Sequence, residues 1–332
     1  MNKLLKTYND LLINFRSEID IQGDDISGYK KKIYVCIGQD KNIKIFIKTK
    51  NDGKRYPPKV LSNLEIEINK EYSITSGKEI IDDNFSLICL KHSVEDYEKV
   101  KLFCDILLGF IKTLKFPINS SVIKKDIDNL IEIFQPAKNL SKEYIQGLWT
   151  ELFLIYKSKD TLRAIDDWHD NANDRYDFGK QKNFIEVKST LGDERKHTFS
   201  LNQVYPQSED TVIIASFKLT ENINDGLSLG ELYEFILKKI NGSSKSENKL
   251  FSVIYPVVTE PNLDAFNQSY DQKSAEQNLK FINLDNIPKL DHSGLSLQGI
   301  SNIKFTSNLD FSEEIDLQKI KRRAKIFKNM IN

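Results

Sequence analysis

The stretch RYDFGKQKNFIEVKST, residues 175–190, constrains this chain more than any other. In FIEVK, the period-two alternation of a strand puts Phe184, Glu186 and Lys188 on one face and Ile185 and Val187 on the other. A carboxylate and an amine are then neighbours. The segment Gly-Lys-Gln-Lys-Asn before them reads as a hairpin turn that folds Asp177 back toward Glu186. Two carboxylates brought together repel unless a cation lies between them. A hard divalent ion takes oxygen ligands of this kind and keeps several waters, which suits Mg²⁺. Alternating charge on an exposed strand gives the same string, so the neighbouring segments have to discriminate.

One such segment is EYIQGLWTELFLIYKS. It predicts a helix over 142–158, capped by Ser141, with an apolar stripe at Ile145, Leu148, Leu152 and Ile155. Glu151 lies on that stripe, where a carboxylate costs several kcal/mol unless it is paired or metal-bound. It is either salt-bridged to a Lys or Arg or a further carboxylate of the same centre. An ion held in this way stabilises charge on a phosphodiester and activates a water for in-line attack. Lys188 would orient or help deprotonate that water.

The helix with its embedded Glu (GLWTELFLI), the lone Asp before a turn (RYDF), IEVKST, and then HTFSLNQVYP with Gln203 together resemble the PD-(D/E)XK nuclease superfamily. Residues 147–206 are similar to a family of bacterial PD-(D/E)XK motif proteins encoded near restriction and phage-defence genes. Tyr176 stands where the eponymous Pro would be. The resemblance implies Asp177 and Glu186 as metal ligands, Lys188 as the catalytic lysine and Glu151 as an accessory carboxylate. Gln203 falls where related nucleases place a polar residue facing the scissile phosphate or the water; capping a strand or turn is the alternative role. It further implies Mg²⁺ as cofactor with Mn²⁺ as a substitute, DNA as substrate, and a restriction or antiphage setting with other defence proteins as partners.

The expected architecture is α+β or α/β. An N-terminal strand-containing α+β module for DNA or partner recognition would occupy 1–136, and a restriction-endonuclease-like domain, a helix on a small mixed sheet, 137–332. Expected elements in the first part are a helix over 4–19, a hairpin of strands 31–37 and 43–49, strands at LEIEIN and FSLICLK, and helices over 94–115 and 122–134. In the second part, TLRAIDDWHD reads as a helix, followed by strands near 175–178, 183–189, 197–201 and 211–218. After these come a helix over 229–240, a flexible loop at GSSKSEN (242–248), strands near 279–283 and 302–306, and a basic closing helix.

The formal net charge is zero, so any nucleic-acid binding has to come from a local patch. Lys180, Lys182, Arg195 and Lys196 flank the motif as candidate DNA contacts; Lys319, Lys321, Arg322, Arg323, Lys325 and Lys328 crowd the last helix, where they read as a solvated face suited to the C-terminal end of the helix dipole ahead of a DNA grip. The four histidines, 92, 169, 197 and 292, have no metal-ligand spacing, and only His197 is near enough to the motif to matter. Trp168 reads as core packing rather than a base-stacking platform. Cys36, Cys89 and Cys104 form no CxxC pair and read as buried thiols in a reducing, cytoplasmic setting. Met1-Asn2-Lys3 leads into an amphipathic helix rather than a signal peptide, and no apolar run reaches the roughly 20 residues of a membrane span. Walker, dinucleotide and nucleophile-elbow motifs are absent, which excludes the commonest ATPase, dehydrogenase and serine-hydrolase patterns. Cutting both strands with one centre per chain would favour a homodimer. A non-cleaving nucleic-acid-binding module and a structural or interaction subunit remain the alternatives.

Overall fold

A computed structural model describes residues 2–54, 56–61, 63–93, 96–134, 139–169, 174–240, 242–258, 262–291, 300, 302–317 and 325–330. The chain divides into two compact units, Met1–Lys138 with Phe251–Pro261, and Asn139–Leu250 with Asn262–Asn332.

The first unit contains α1 (Lys3–Ile13), β1 (Gln22–Asp25), β2 (Ile33–Ile37), β3 (Ile43–Lys48), β4 (Lys59–Val60), β5 (Leu64–Ser76), β6 (Glu79–Leu90), α2 (Tyr97–Thr113) and α3 (Ser120–Ile131). Its six strands run in the order β1-β2-β3-β6-β5-β4, and a Gln22–Thr75 pairing links β1 back to β5. Strand β2, IYVCI, is buried at every position, so its residues are apolar on both faces. Tyr34, Cys36, Phe46, Phe85 and Cys89 pack in one cluster, and all three cysteines are buried free thiols. Helix α1 stops at Ile13, short of the expected 19. There the Asn14 amide takes the Asp10 carbonyl (2.7 Å), and the Arg16 N–H turns to the Gln22 side chain (2.9 Å).

The second unit contains α4 (Lys142–Lys157), α5 (Thr161–Asp167), β7 (Phe178–Lys180), β8 (Asn183–Thr190), β9 (Lys196–Ser200), α6 (Leu201–Val204), β10 (Thr211–Lys218), β11 (Leu227–Ser228) and α7 (Leu229–Ile240). Helix α8 (Ser244–Ile254) then carries the chain into the first unit, and the second unit resumes with β12 (Ser269–Tyr270), α9 (Gln272–Gln277), β13 (Lys280–Asn283), β14 (Lys304–Asn308) and α10 (Lys325–Asn329). The central sheet runs β13-β10-β8-β7, with β8 parallel to β10 and antiparallel to β7. Helix α4 packs against β8 and β10: Trp149 stacks on Phe153, which meets Phe217 of β10 edge to face at 6.1 Å. Tyr176, Phe199, Val212, Ile214 and Ile282 form a second cluster, with Phe184 against it. Strand β9 pairs with β14 in a separate ribbon. The fold is restriction-endonuclease-like α+β.

The segments GSSKSEN and TLRAIDDWHD also differ from expectation. GSSKSEN is not a loop. Helix α8 starts at Ser244, where Glu247 accepts from the Gly242 N–H (2.9 Å) and the hydroxyls of Ser243 and Ser246 meet at 2.9 Å, satisfying the polar groups of its first turn. The helix predicted through TLRAIDDWHD ends at Asp167, and Trp168 adopts extended backbone and bridges Phe178. Lys319, Lys321, Arg322, Arg323 and His292 lie outside the described residues. Among the described residues, no helix is long and apolar enough to cross a membrane.

Candidate metal centre

The β7–β8 hairpin closes on a two-residue turn, Gln181-Lys182, with both residues at positive φ (48° and 65°), the backbone demanded by a tight turn matched to strand twist. Its register pairs Phe178 with Ile185, and one residue further on Asp177 comes opposite Glu186. The Asp177 carboxylate accepts the Val187 N–H at 2.6 Å, which fixes it against β8. Where α5 ends, the His169 N–H donates to the Asp177 carbonyl at 2.7 Å, drawing His169 alongside the start of β7. Helix α4 presents Glu151, whose Oε2 accepts from the indole of Trp168 at 2.7 Å and lies 3.2 Å from His169 Nε2. One ligand atom each of Glu151, His169 and Asp177 lies within 4.8 Å of the others.

Glu186 is 3% exposed. Its Oε1 accepts from Lys188 Nζ (2.6 Å) and from the Gln203 amide (2.7 Å), and its Oε2 is buried with no hydrogen-bond partner. Gln203 does two things at once. Its carbonyl oxygen accepts the Ser200 N–H (3.0 Å) in a capping box that starts α6, and its NH₂ donates to Glu186. The capping role expected of Gln203 is thus present, and its amide is turned to the carboxylate of Glu186.

The electrostatics follow from this crowding. Burial, then Glu186 and Glu151, hold the Asp177 carboxyl well above the usual carboxylate range. Glu186 is raised too, because burial and Glu151 outweigh Lys188 and Gln203. Burial alone would lower the Lys188 ammonium, but Glu186, Asp177 and Glu151 together raise it, so it is held as a charged donor. Three carboxyls around one lysine leave a negative excess that a cation would relieve.

These residues fit a divalent ion on independent grounds: a three-residue donor set of the right compactness, an orphaned buried carboxylate oxygen in the adjacent Glu186, and carboxyls that resist ionising together. Beside them a cleft of about 920 Å³ has a largely polar wall that carries Arg175, Lys188 and Lys304 against one carboxylate, Asp174, together with Ser200 and Gln203.

The sequence reading missed His169. Its partners, Glu151 and Asp177, come from other elements, so no local spacing marks it. In the sequence it falls inside the helix expected through TLRAIDDWHD, which gives no sign that it comes beside Asp177. Trp168, read as core packing, is buried and also holds Glu151. His197 is buried, bonded to Ser216 Oγ at 2.7 Å, and pushed down to about 3 by burial, Lys188 and Arg195, so it stays neutral within the fold.

The proposed DNA contacts separate. Arg195 is 2% exposed and donates to Ser216 O (2.8 Å), Ser216 Oγ (3.0 Å) and the Asn278 carbonyl. It is a buried strut, and a phosphate cannot reach it in this conformation. Lys180, Lys182 and Lys196 are exposed and pair with Asp167, Glu209 and Glu194.

A hairpin with Asp just before its first strand and Glu-X-Lys on the second, backed by a helix carrying Glu, defines a protein of the PD-(D/E)XK type. A family model described as "Putative PD-(D/E)XK family member" (DUF4420) matches residues 18–310, and the chain belongs to that family. No curated protein and no solved structure matches it.

Proposed function

We propose that this protein is a divalent-metal-dependent endonuclease that hydrolyses DNA phosphodiester bonds, acting in restriction or antiphage defence and cutting duplex DNA as a homodimer. The observation that carries the reading is Glu186: one carboxylate oxygen is held by Lys188 and Gln203, and the other is buried without a partner beside Asp177. A bound divalent ion supplies Lewis-acid stabilisation of charge developing on the phosphate. Lys188, ion-paired to Glu186 and lining the cleft, donates to the attacking water or a phosphate oxygen and offsets charge there. Gln203 keeps Glu186 oriented, and Trp168 does the same for Glu151. Arg175 and Lys304 give the cleft wall the positive charge that a nucleic-acid backbone needs. The defence setting follows from the resemblance to proteins encoded near such genes, and the dimer from one centre per chain.

The test is conversion of supercoiled plasmid to nicked and linear forms with Mg²⁺ or Mn²⁺, comparing the natural protein with Lys188→Ala and Asp177→Ala. Cleavage that needs the ion and is lost in both variants supports the reading. A natural protein that binds DNA equally with and without metal, and leaves it intact, points to a binding module instead.

A further inference from the structure

We propose that His169 is a metal ligand through Nε2, and that its nitrogen makes the centre prefer a divalent transition ion such as Mn²⁺ over Mg²⁺. The inference deepens the proposed function by naming the ion's chemical class, and it rests on that reading only for the presence of an ion in this centre.

Four observations carry it. A ring nitrogen of His169 and carboxylate oxygens of Glu151 and Asp177 lie within 4.8 Å of one another, with Nε2 itself 3.2 Å from Glu151, a spread that ligand bonds of about 2.0–2.2 Å to a common ion can bridge with small side-chain movements. The neighbouring Glu186 keeps a partnerless oxygen although it is 3% exposed. The His169 backbone N–H is tied to the Asp177 carbonyl, which holds the imidazole beside Asp177. Finally, Trp168 donates to Glu151 Oε2 independently of His169. If His169 Nε2 turns from Glu151 to an ion, Glu151 still keeps a hydrogen bond, so the two contacts of His169 need not compete at Glu151's cost. A histidine serving only as an ion-pair partner for Glu151 is the rival role.

The donor set then decides the ion. Mg²⁺ takes oxygen ligands and surrenders its waters reluctantly. An imidazole among carboxylates favours first-row transition ions, whose affinity for mixed nitrogen and oxygen sites rises from Mn²⁺ along the row. An all-carboxylate reading of Asp177, Glu186 and Glu151 carries no such bias.

The experiment loads the intact protein with Mn²⁺ and records electron spin-echo envelope modulation, alongside calorimetric titrations with Mn²⁺ and with Mg²⁺. The natural protein is expected to show modulation from a directly bound imidazole nitrogen and to bind Mn²⁺ at least about tenfold more tightly than Mg²⁺. In His169→Gln, which retains a side-chain hydrogen bond to Glu151, the nitrogen signal disappears and the affinity ratio falls toward one. His169→Asn provides a second variant, and thermal melts of both establish that they fold. Bound Mn²⁺ without nitrogen modulation, or an unchanged ratio in folded variants, overturns the inference and leaves metal-dependent cleavage standing. Absence of any Mn²⁺ binding overturns both.

Discussion

Replacing Asp177 by Asn should stabilise the metal-free protein, although it removes a residue of the centre. The carboxylate oxygens of Asp177 and Glu151 that face one another lie within 4.8 Å. Two unit charges at that separation repel by roughly 3 kcal/mol at an effective dielectric constant of about 20. Lys188 offsets part of this repulsion, and the Asn side-chain oxygen can still accept the Val187 N–H that Asp177 now holds at 2.6 Å. A net gain of about 1–2 kcal/mol remains, roughly 2–8 °C in melting temperature. The sign with pH follows from the raised Asp177 carboxyl. The folded state holds that proton more tightly than the unfolded chain does. The natural protein therefore loses stability as pH rises from the ordinary carboxylate range through the folded value. The advantage of Asp177→Asn should be large near pH 8 and shrink toward pH 4. Scanning calorimetry in a chelator across that range measures it. A variant that melts at or below the natural protein near pH 8 would refute the claim that these carboxyls are held together at a cost. Saturating Mn²⁺ should reverse the order, because the ion binds only the folded natural site.

Trp168→Phe keeps an aromatic ring in the core but removes the indole N–H from Glu151. Titration with Mn²⁺ should give an affinity about 10–100-fold weaker, with the fold intact by circular dichroism. Gln203→Glu preserves the acceptor that caps α6 through the Ser200 N–H, yet sets a carboxylate against Glu186 in place of a donor. Glu186 then ionises at higher pH than in the natural protein. The acid limb of the cleavage–pH profile should move upward, whereas Gln203→Ala would shift it less and lower stability through the lost cap.

The site was legible wherever one element carried its own pattern. Period-two alternation put Glu186 and Lys188 on one strand face, and the hairpin in the structure brings Asp177 opposite Glu186. The helical stripe that made Glu151 conspicuous is the face α4 turns inward, and Glu151 meets Trp168 and His169 there rather than a Lys or Arg. What stayed illegible depends on junctions between elements. His169 enters only because α5 stops at Asp167 and the next residues bridge to β7, an outcome that helical propensity in TLRAIDDWHD conceals. Arg195 reads as a surface charge among KHTF neighbours, yet its guanidinium is buried against Ser216 of β10. Strands β5 and β6 run far beyond LEIEIN and FSLICLK because their polar outer halves pair with each other, and pairing leaves no apolar signature. Likewise α8 is polar at its start, so its helix is set by caps rather than by hydrophobic spacing.

The most direct test of the central claim, that Glu151, His169, Asp177 and their neighbour Glu186 form one metal centre, is anomalous diffraction from crystals of this protein soaked in Mn²⁺. A single strong peak is expected in each chain, bonded at about 2.0–2.3 Å to Glu151, His169 and Asp177 and adjacent to the free oxygen of Glu186. Well-ordered crystals with no peak there, or with the ion bound elsewhere while these four side chains keep the contacts they make without it, would contradict it.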